Sequence, residues 1–283
     1  MKPIRRLVIL IAGFSIAIVT AVAPARSEGP PAGDDSQETK KLNDLIESSI
    51  DWYEVLPEVG AKTALRPQPV LRWRNVARGQ EGEAMMVVWA DRGRPEVFAS
   101  IYPWEGYLCH EFGSLSRAAR LVTRDKGSVV WAPNVAGVEF KPVPDAPQPA
   151  ETPAGRLRQM RSIAERVKAT MTGWKGDNSD REELRLLPRP LFRYDATEAR
   201  KGSPSLIDGA LFAFVMGTDP EVVMLLEAVG SENDVAWQYA FARATSGGLE
   251  ARFDNATVWT AEKFPANRNS TAPQLTVRRP LEP

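Results

Sequence analysis

The sequence has one cysteine and one histidine in 283 residues, and they are the neighbours Cys109 and His110. A single cysteine cannot form an internal disulfide, so the protein depends on apolar cores for stability in an oxidising compartment. A zinc site made only of histidine and cysteine requires three or four such ligands and is therefore excluded. Neighbouring strand residues point to opposite faces of a sheet, so Cys109 and His110 cannot act as a nucleophile and its base.

Other signals of chemistry are missing as well. The 36 basic residues equal the 36 acidic ones, so the basic footprint of a nucleic-acid-binding protein is absent and we expect no nucleic-acid partner. The sequence contains no glycine-rich phosphate loop, no dinucleotide fingerprint and no G-x-S-x-G nucleophile elbow. The oxygen-rich segment 177–183 lacks the spacing of an EF-hand calcium loop. We therefore expect no cofactor, no metal ion and no assignable catalytic residue.

The N-terminus has the pattern of a signal peptide over residues 1–27. Lys2, Arg5 and Arg6 form a basic start, residues 7–23 are predominantly apolar, and Ala23-Pro24-Ala25 offers small residues for cleavage. The pattern predicts export, and we expect a secreted or periplasmic protein. The alternative is that the segment is retained as a membrane anchor, because its apolar run approaches the roughly 20 residues of a spanning helix.

Proline and glycine divide the rest of the chain. Residues 28–37 are polar and rich in both, which is typical of a flexible segment. The segment 141–155 carries five prolines and predicts a stiff linker between two repeat units, residues 38–140 and residues 156–263. The polar, proline-punctuated segment 264–283 predicts a disordered tail.

Each predicted unit begins with an amphipathic helix. In the first, over residues 38–53, the apolar residues have the three-and-four spacing of one buried stripe. In the second, Thr152 and Pro153 have the residue types of a helix cap and a first helical position. The stripe of the first helix is Leu42, Leu45, Ile46, Ile50 and Tyr53, and that of the second is Leu157, Met160, Ile163, Ala164, Val167 and Met171.

The segment 208–262 predicts an antiparallel meander. The residues of 211–216 are apolar on both faces, as in a strand that is covered on both sides. Gly217 to Pro220 supply turn residues, and the β-rich run 221–229 returns as the second strand. A similar hairpin is predicted in the first half, with strands at 84–90 and 96–102, followed by another strand at 108–116.

Two motifs recur in the same order in both halves. Pro, any residue, Pro, two apolar residues, Arg and an aromatic residue occur at 67–73 and at 188–194, and Pro-Glu-Val occurs at 95–97 and at 220–222. We interpret this recurrence as an internal duplication, although apolar hairpins with proline turns also resemble one another by chance. It predicts an α+β fold of two tandem helix-plus-antiparallel-sheet repeats, α-β-β-β-β-β each, with the two sheets packed on each other.

Three segments of the second half resemble a family of uncharacterised secreted proteins of planctomycete-type bacteria. They are ELRLLPRPLFRYD, DGALFAFVMGTDPEV and WQYAFARATSGGLEARF, within residues 183–253. The likeness implies export and a bacterial origin. It implies no activity and assigns no functional residue.

The aromatic turn at 102–107 is the candidate binding site, because aromatic side chains beside a carboxylate offer contact area for a sugar ring or a peptide. The alternative is that these aromatic residues cap the end of a core. We expect a non-enzymatic binding or structural module for an envelope protein or glycan; the alternative is a secreted hydrolase with a carboxylate-based site, for which the sequence singles out no acidic pair. The candidate ligand-binding residues are Tyr102, Trp104, Glu105, Tyr107, His110 and Glu111.

Overall fold

The computed structural model describes residues 34–74, 82–173, 180–195, 205–231, 234–263 and 269–281. The predicted signal peptide and residues 177–179 of the oxygen-rich segment lie outside these ranges. Within them, neither helix combines the length and the apolar character that a bilayer crossing requires.

The described residues form two α-helices and seventeen β-strands. Helix α1 spans Asp34–Ser49 and is followed by one 3-10 turn, Ile50–Trp52, and helix α2 spans Pro153–Glu165. The strands of the first half are β1 (Tyr53–Leu56), β2 (Pro67–Trp73), β3 (Ala84–Asp91), β4 (Arg94–Trp104), β5 (Tyr107–Ser114), β6 (Val122–Asp125), β7 (Ser128–Trp131) and β8 (Lys141–Pro142). Those of the second half are β9 (Val167–Thr172), β10 (Arg181–Leu186), β11 (Phe192–Tyr194), β12 (Leu206–Met216), β13 (Asp219–Ser231), β14 (Asp234–Arg243), β15 (Gly248–Phe253), β16 (Ala256–Ala261) and β17 (Gln274–Pro280).

The fold is mostly β, and the predicted α+β class with two α-β-β-β-β-β repeats was wrong. The error begins at the helix ends, where the predicted stripes continued to Tyr53 and Met171. Helix α1 ends at Ser49, and strand β1 follows it after the 3-10 turn. Helix α2 ends at Glu165, and strand β9 begins two residues later. In β9 the residues alternate between more buried and more exposed positions, which is the period of a strand. A few apolar residues after a helix fit both the helical period of about 3.6 residues and the strand period of two. Pairing with other strands decides which structure forms.

The strands form three antiparallel sheets. The smallest has the order β1-β6-β7, and a five-stranded sheet has the order β17-β5-β4-β3-β2. The largest has the order β16-β15-β9-β10-β12-β13-β14-β8, with β11 also paired to β12. Strands β2 to β5 are therefore consecutive neighbours, as are β11 to β14. We call these two groups the N-terminal meander and the C-terminal meander.

Each meander is extended by a strand from the other half of the chain. Strand β17 pairs with β5 of the N-terminal meander, from Gln274 opposite Gly113 to Pro280 opposite Tyr107. Strand β8 pairs with β14 of the C-terminal meander. The prediction of a disordered tail over 264–283 was therefore wrong for β17, because a strand whose partner lies far away in the sequence leaves little local signal.

Two other segment boundaries also differ from the sequence-based prediction. Residues 34–37 belong to helix α1 rather than to the flexible segment 28–37. The linker 141–155 contains strand β8 and the start of α2. The division into units 38–140 and 156–263 stays a prediction.

The inner faces of the two meanders pack against each other. Met86, Val88 and Phe98 of the N-terminal meander share one buried cluster with Leu211 and Val223 of the C-terminal meander. The outer faces are covered separately, the N-terminal one by α1 and the β1-β6-β7 sheet, and the C-terminal one by α2, β9 and β15. Strands such as β12 are therefore buried on both faces, as their continuous apolar sequence predicts.

The predicted cap of α2 is confirmed. The Thr152 hydroxyl accepts a hydrogen bond from the Gly155 amide at 3.1 Å, and Pro153 occupies the first helical position. The hydroxyl satisfies one of the amide groups that a helix start leaves without a partner.

Replacing Thr152 by Ala is expected to lower the free energy of unfolding by about 1 kcal/mol, because the Gly155 amide loses its acceptor. Thr152→Ser keeps the hydroxyl and is the matched control, expected to unfold close to the wild-type midpoint. Denaturant titration compares the three proteins. Equal losses in both variants would show that the hydroxyl does not stabilise the helix.

Candidate functional site

The β4–β5 hairpin distributes the candidate binding residues over different surfaces. Tyr102, Trp104 and Glu111 line a cavity of about 220 Å³. Glu105 and Tyr107 are exposed at the hairpin turn and do not line that cavity. Glu105 and Gly106 have φ values of 50° and 77°, as a two-residue type I′ turn requires. Three of the six candidate residues, Tyr102, Trp104 and Glu111, therefore lie together at one site.

The cavity lies where the end of the β4–β5 hairpin meets strand β13, the loop after β14, and β17. Most of its residues are acidic or carry a hydroxyl, and we call it the acidic pocket. The acidic residues are Glu111, Asp219 and Glu221, the hydroxyl-bearing ones are Ser100, Tyr102, Thr245, Ser246 and Thr276, and Trp104, Ala244 and Arg278 complete the lining.

Glu111 is the buried acid of the pocket, with 6% of its surface exposed. The Tyr102 hydroxyl donates to its Oε2 at 3.2 Å, and the Gln274 amide donates to its Oε1. Burial raises the Glu111 pKa to about 7, although the Tyr102 hydrogen bond opposes this shift. Glu111 therefore changes its charge near neutral pH.

Tyr102 acts as a permanent hydrogen-bond donor to this carboxylate. Burial raises the Tyr102 pKa well above its usual value, and the negative charge of Glu111 raises it further. The phenol therefore keeps its proton across the physiological range. Its hydrogen bond holds the Oε2 atom of Glu111 toward β4.

Ser100 adds a buried polar group to the pocket lining. It lies directly opposite Glu111 in the strand register and is 2% exposed. Among the described residues, the Ser100 hydroxyl has no hydrogen-bond partner. A buried polar atom without a partner costs about 1–3 kcal/mol, so a bound group that supplies a partner would gain free energy here.

His110 lies on the opposite face of β5 and does not line the acidic pocket. The Ser49 hydroxyl donates to the Ile46 carbonyl at 2.8 Å, so the contact of 3.0 Å between Ser49 Oγ and His110 Nε2 assigns the imidazole proton to Nε2. The ring packs against Trp52 and Tyr53, with centroid distances of 5.5 and 5.1 Å. Burial lowers the His110 pKa to about 3, so this histidine is neutral at physiological pH.

The sequence predicted only one edge of the acidic pocket. Asp219 and Glu221 come from the start of β13, which the sequence presents as an ordinary turn and strand. Thr276 and Arg278 come from β17, in the segment predicted to be disordered. The recurrence of Pro-Glu-Val at 220–222 signals a correspondence with the first half, but it does not say which residues meet.

The two meanders have matching register around this motif. Val97 lies opposite Ser114 in the β4–β5 hairpin, and Val222 lies opposite Arg243 in the β13–β14 hairpin. Each hairpin is followed by the same backbone contact to the preceding strand, a 2.8 Å bond from the amide of residue 115 to carbonyl 96 in one case and from amide 244 to carbonyl 221 in the other. Positions in the two halves can therefore be compared one by one.

The position of the C-terminal meander that corresponds to Tyr102 is Glu227, which is fully buried. Its carboxylate accepts from Arg94 Nε at 2.7 Å, from an Arg117 guanidinium nitrogen at 2.6 Å, from the Tyr194 hydroxyl at 3.0 Å and from the Gln238 amide at 2.8 Å. We call this group the buried arginine site. Two guanidinium groups and two neutral donors offset the cost of removing this carboxylate from water.

The described residues offer no cluster of three or more histidine, cysteine, aspartate or glutamate side chains arranged to hold a metal ion. The acidic pocket is instead suited to a group that donates several hydrogen bonds, because carboxylate and hydroxyl oxygens dominate its lining.

Glu111→Gln is expected to change how stability depends on pH. The folded-state pKa of about 7 lies above the ordinary value of 4.5, so folding takes up a proton between these values. This contribution is complete below pH 4.5 and is lost as the pH rises through 7. The free energy of unfolding of the wild type should therefore fall by up to about 3 kcal/mol relative to Glu111→Gln between pH 4.5 and pH 8. Denaturant titrations over this range measure the difference, and parallel pH profiles would contradict the raised pKa.

No protein-family model matches the chain, and the comparisons with curated proteins and with solved structures return no match.

Proposed function

We propose that the protein is an exported, non-enzymatic binding module that recognises a polar group of an envelope protein or glycan in the acidic pocket. The observation that carries the proposal is the combination of a cavity at the junction of both halves with a buried Ser100 hydroxyl that has no partner among the described residues. Export rests on the signal-peptide pattern of residues 1–27, which lie outside the described residues.

The size of the acidic pocket favours recognition of one side chain or one terminal group. Its volume of about 220 Å³ is below the roughly 300–1,000 Å³ of sites that enclose drug-sized ligands. Trp104 lines the pocket and is partly exposed. A flat aromatic ring in this position adds contact area for whatever carries the recognised group.

A carboxylate-based hydrolase is the second candidate, and the raised pKa of Glu111 beside Asp219 favours it. A protonated acid near a second carboxylate is the arrangement of a general acid and its partner. However, both oxygens of Glu111 already accept hydrogen bonds, and only 6% of the residue is exposed. Glu111 is therefore poorly placed to deliver a proton to a scissile bond.

Trp104→Ala is expected to weaken ligand binding at least tenfold without lowering the melting temperature, because Trp104 contributes pocket surface rather than core. Tyr107→Ala is the matched control, since Tyr107 lies opposite Trp104 in the same hairpin but outside the pocket. The measurement is binding of the full chain to arrays of envelope glycans and peptides, together with thermal unfolding. A melting temperature that falls for Trp104→Ala would support the alternative that this residue caps the core. Unchanged binding would remove Trp104 from the site.

The hydrolase candidate is tested with the same glycans and peptides by measuring product release. Under the binding proposal, the wild type releases no more product than Glu111→Gln. Turnover that is lost in Glu111→Gln, while the variant keeps its fold, would overturn the binding proposal in favour of catalysis.

A further inference from the structure

We infer that the acidic pocket binds a guanidinium group, presented by an arginine side chain of a partner protein. The inference rests on the proposed binding function and names the chemistry that the same site recognises. It is drawn from the buried arginine site, where this fold already binds guanidinium groups at the corresponding place.

In the buried arginine site, arginines supplied by the first half cross to a carboxylate of the second half. Arg94 and Arg117 both donate to Glu227, and their guanidinium carbons lie 5.0 and 3.8 Å from the centre of the Phe140 ring. Guanidinium groups donate several hydrogen bonds in one plane and stack on aromatic rings, so they suit such a partly dry position. Glu96 accepts from a second donor of Arg94 at 3.5 Å.

In the acidic pocket, neither position that corresponds to these two arginines carries an arginine. By strand register, Arg94 corresponds to Asp219, and Arg117 corresponds to Ser246, two residues after the matching backbone contact. Both replacements are shorter, and one of them reverses the charge. The space that two guanidinium groups fill on one side is therefore the cavity of about 220 Å³ on the other.

The pocket side also carries hydrogen-bond acceptors, although one of them lies on a different strand from its counterpart. Glu221 corresponds to Glu96 and lines the pocket. The counterpart of Glu227 is Tyr102, but Glu111 on the neighbouring strand places a carboxylate next to that tyrosine. The lining of the pocket thus carries three carboxylates and Arg278, whereas its counterpart surrounds Glu227 with two guanidinium groups.

The unpartnered Ser100 hydroxyl is an independent observation that points to a ligand. It is 2% exposed, lines the pocket beside Glu111, and has no partner among the described residues. A planar group with five N–H donors can bond a carboxylate and a hydroxyl at the same time, whereas an ammonium group carries only three donors and is more strongly hydrated.

Several charged and titratable groups face Glu111 and set the pH dependence of binding. They are Tyr102 on β4, Cys109 on β5, Asp219 on β13, Arg243 on β14 and Arg278 on β17. With a Glu111 pKa of about 7, the ionised fraction rises from about one tenth at pH 6 to about nine tenths at pH 8. A guanidinium group stays charged over this range, so its binding should strengthen by up to about tenfold.

Arg278 provides a test of whether the bound ligand is a cation or an anion. It lines the pocket from the edge strand β17 and is exposed. Its positive charge opposes an incoming cation, so Arg278→Gln is expected to strengthen binding several-fold. An anionic ligand would show the opposite change.

The experiment is calorimetric titration of the full chain with N-acetyl-arginine N-methylamide at pH 6 and pH 8. Its neutral isostere, N-acetyl-citrulline N-methylamide, has the same shape and should bind at least tenfold more weakly. Agmatine forms a further arm, because a preference for it would point to a free small molecule rather than to an arginine side chain. Equal binding of the arginine and citrulline compounds, or no binding of either, would overturn the inference.

Variants locate the binding. Glu111→Gln and Asp219→Asn should each weaken binding of the arginine compound at least tenfold at pH 8. Glu105→Gln, in the same hairpin but outside the pocket, is the matched control and should bind like the wild type. Equal affinities of all three variants would place the cation elsewhere and overturn the inference.

Failure of the inference and failure of the proposed function give different results. If the arginine compound does not bind while array binding persists and depends on Trp104, the guanidinium inference is wrong and the binding function stands. If neither assay shows binding that depends on the pocket, both are wrong.

Discussion

The packing of the two meanders on each other is the constraint on which the rest of the structure depends. Because both inner faces are apolar, β3, β4, β12 and β13 are buried on both sides, and a polar group on them costs free energy wherever it has no partner. The helices, the β1-β6-β7 sheet and β9 with β15 then serve mainly to cover the outer faces.

The two ends of the interface solve the problem of a buried carboxylate differently. Glu227 receives two guanidinium groups from its own chain, whereas Tyr102 and Gln274, the donors to Glu111 in the part of the chain that the structure describes, are both neutral. A carboxylate with neutral partners is held at a free-energy cost when it is ionised, and its raised pKa expresses that cost. Sites that bind ligands commonly retain this kind of incomplete compensation, because the ligand then supplies the missing interaction.

The sequence predicted the local structure well and the site only in part. The α2 cap at Thr152, the turn residues at 217–220 and the doubly buried strand β12 all follow from residue types and periods that act over a few positions. The class was missed because β1 and β9 directly follow helices, and short apolar runs there fit both periods. Glu111 was among the candidates, but Ser100, which lies opposite it in the β4–β5 hairpin, was not. Asp219 meets Glu111 only through the packing of two sheets, which residue patterns do not encode.

The exchange of β8 and β17 between the two halves has a consequence for the order of folding. Strand β17 closes the edge of β5 across a separation of 163 residues at Gln274 and Glu111. Until β17 has been synthesised and paired, the N-terminal meander keeps an open edge at β5, and open edges invite pairing with other chains. Since Thr276 and Arg278 also line the acidic pocket, the site is assembled only after β17 has paired with β5. A chain in which β17 is missing or unpaired therefore carries no complete copy of the site.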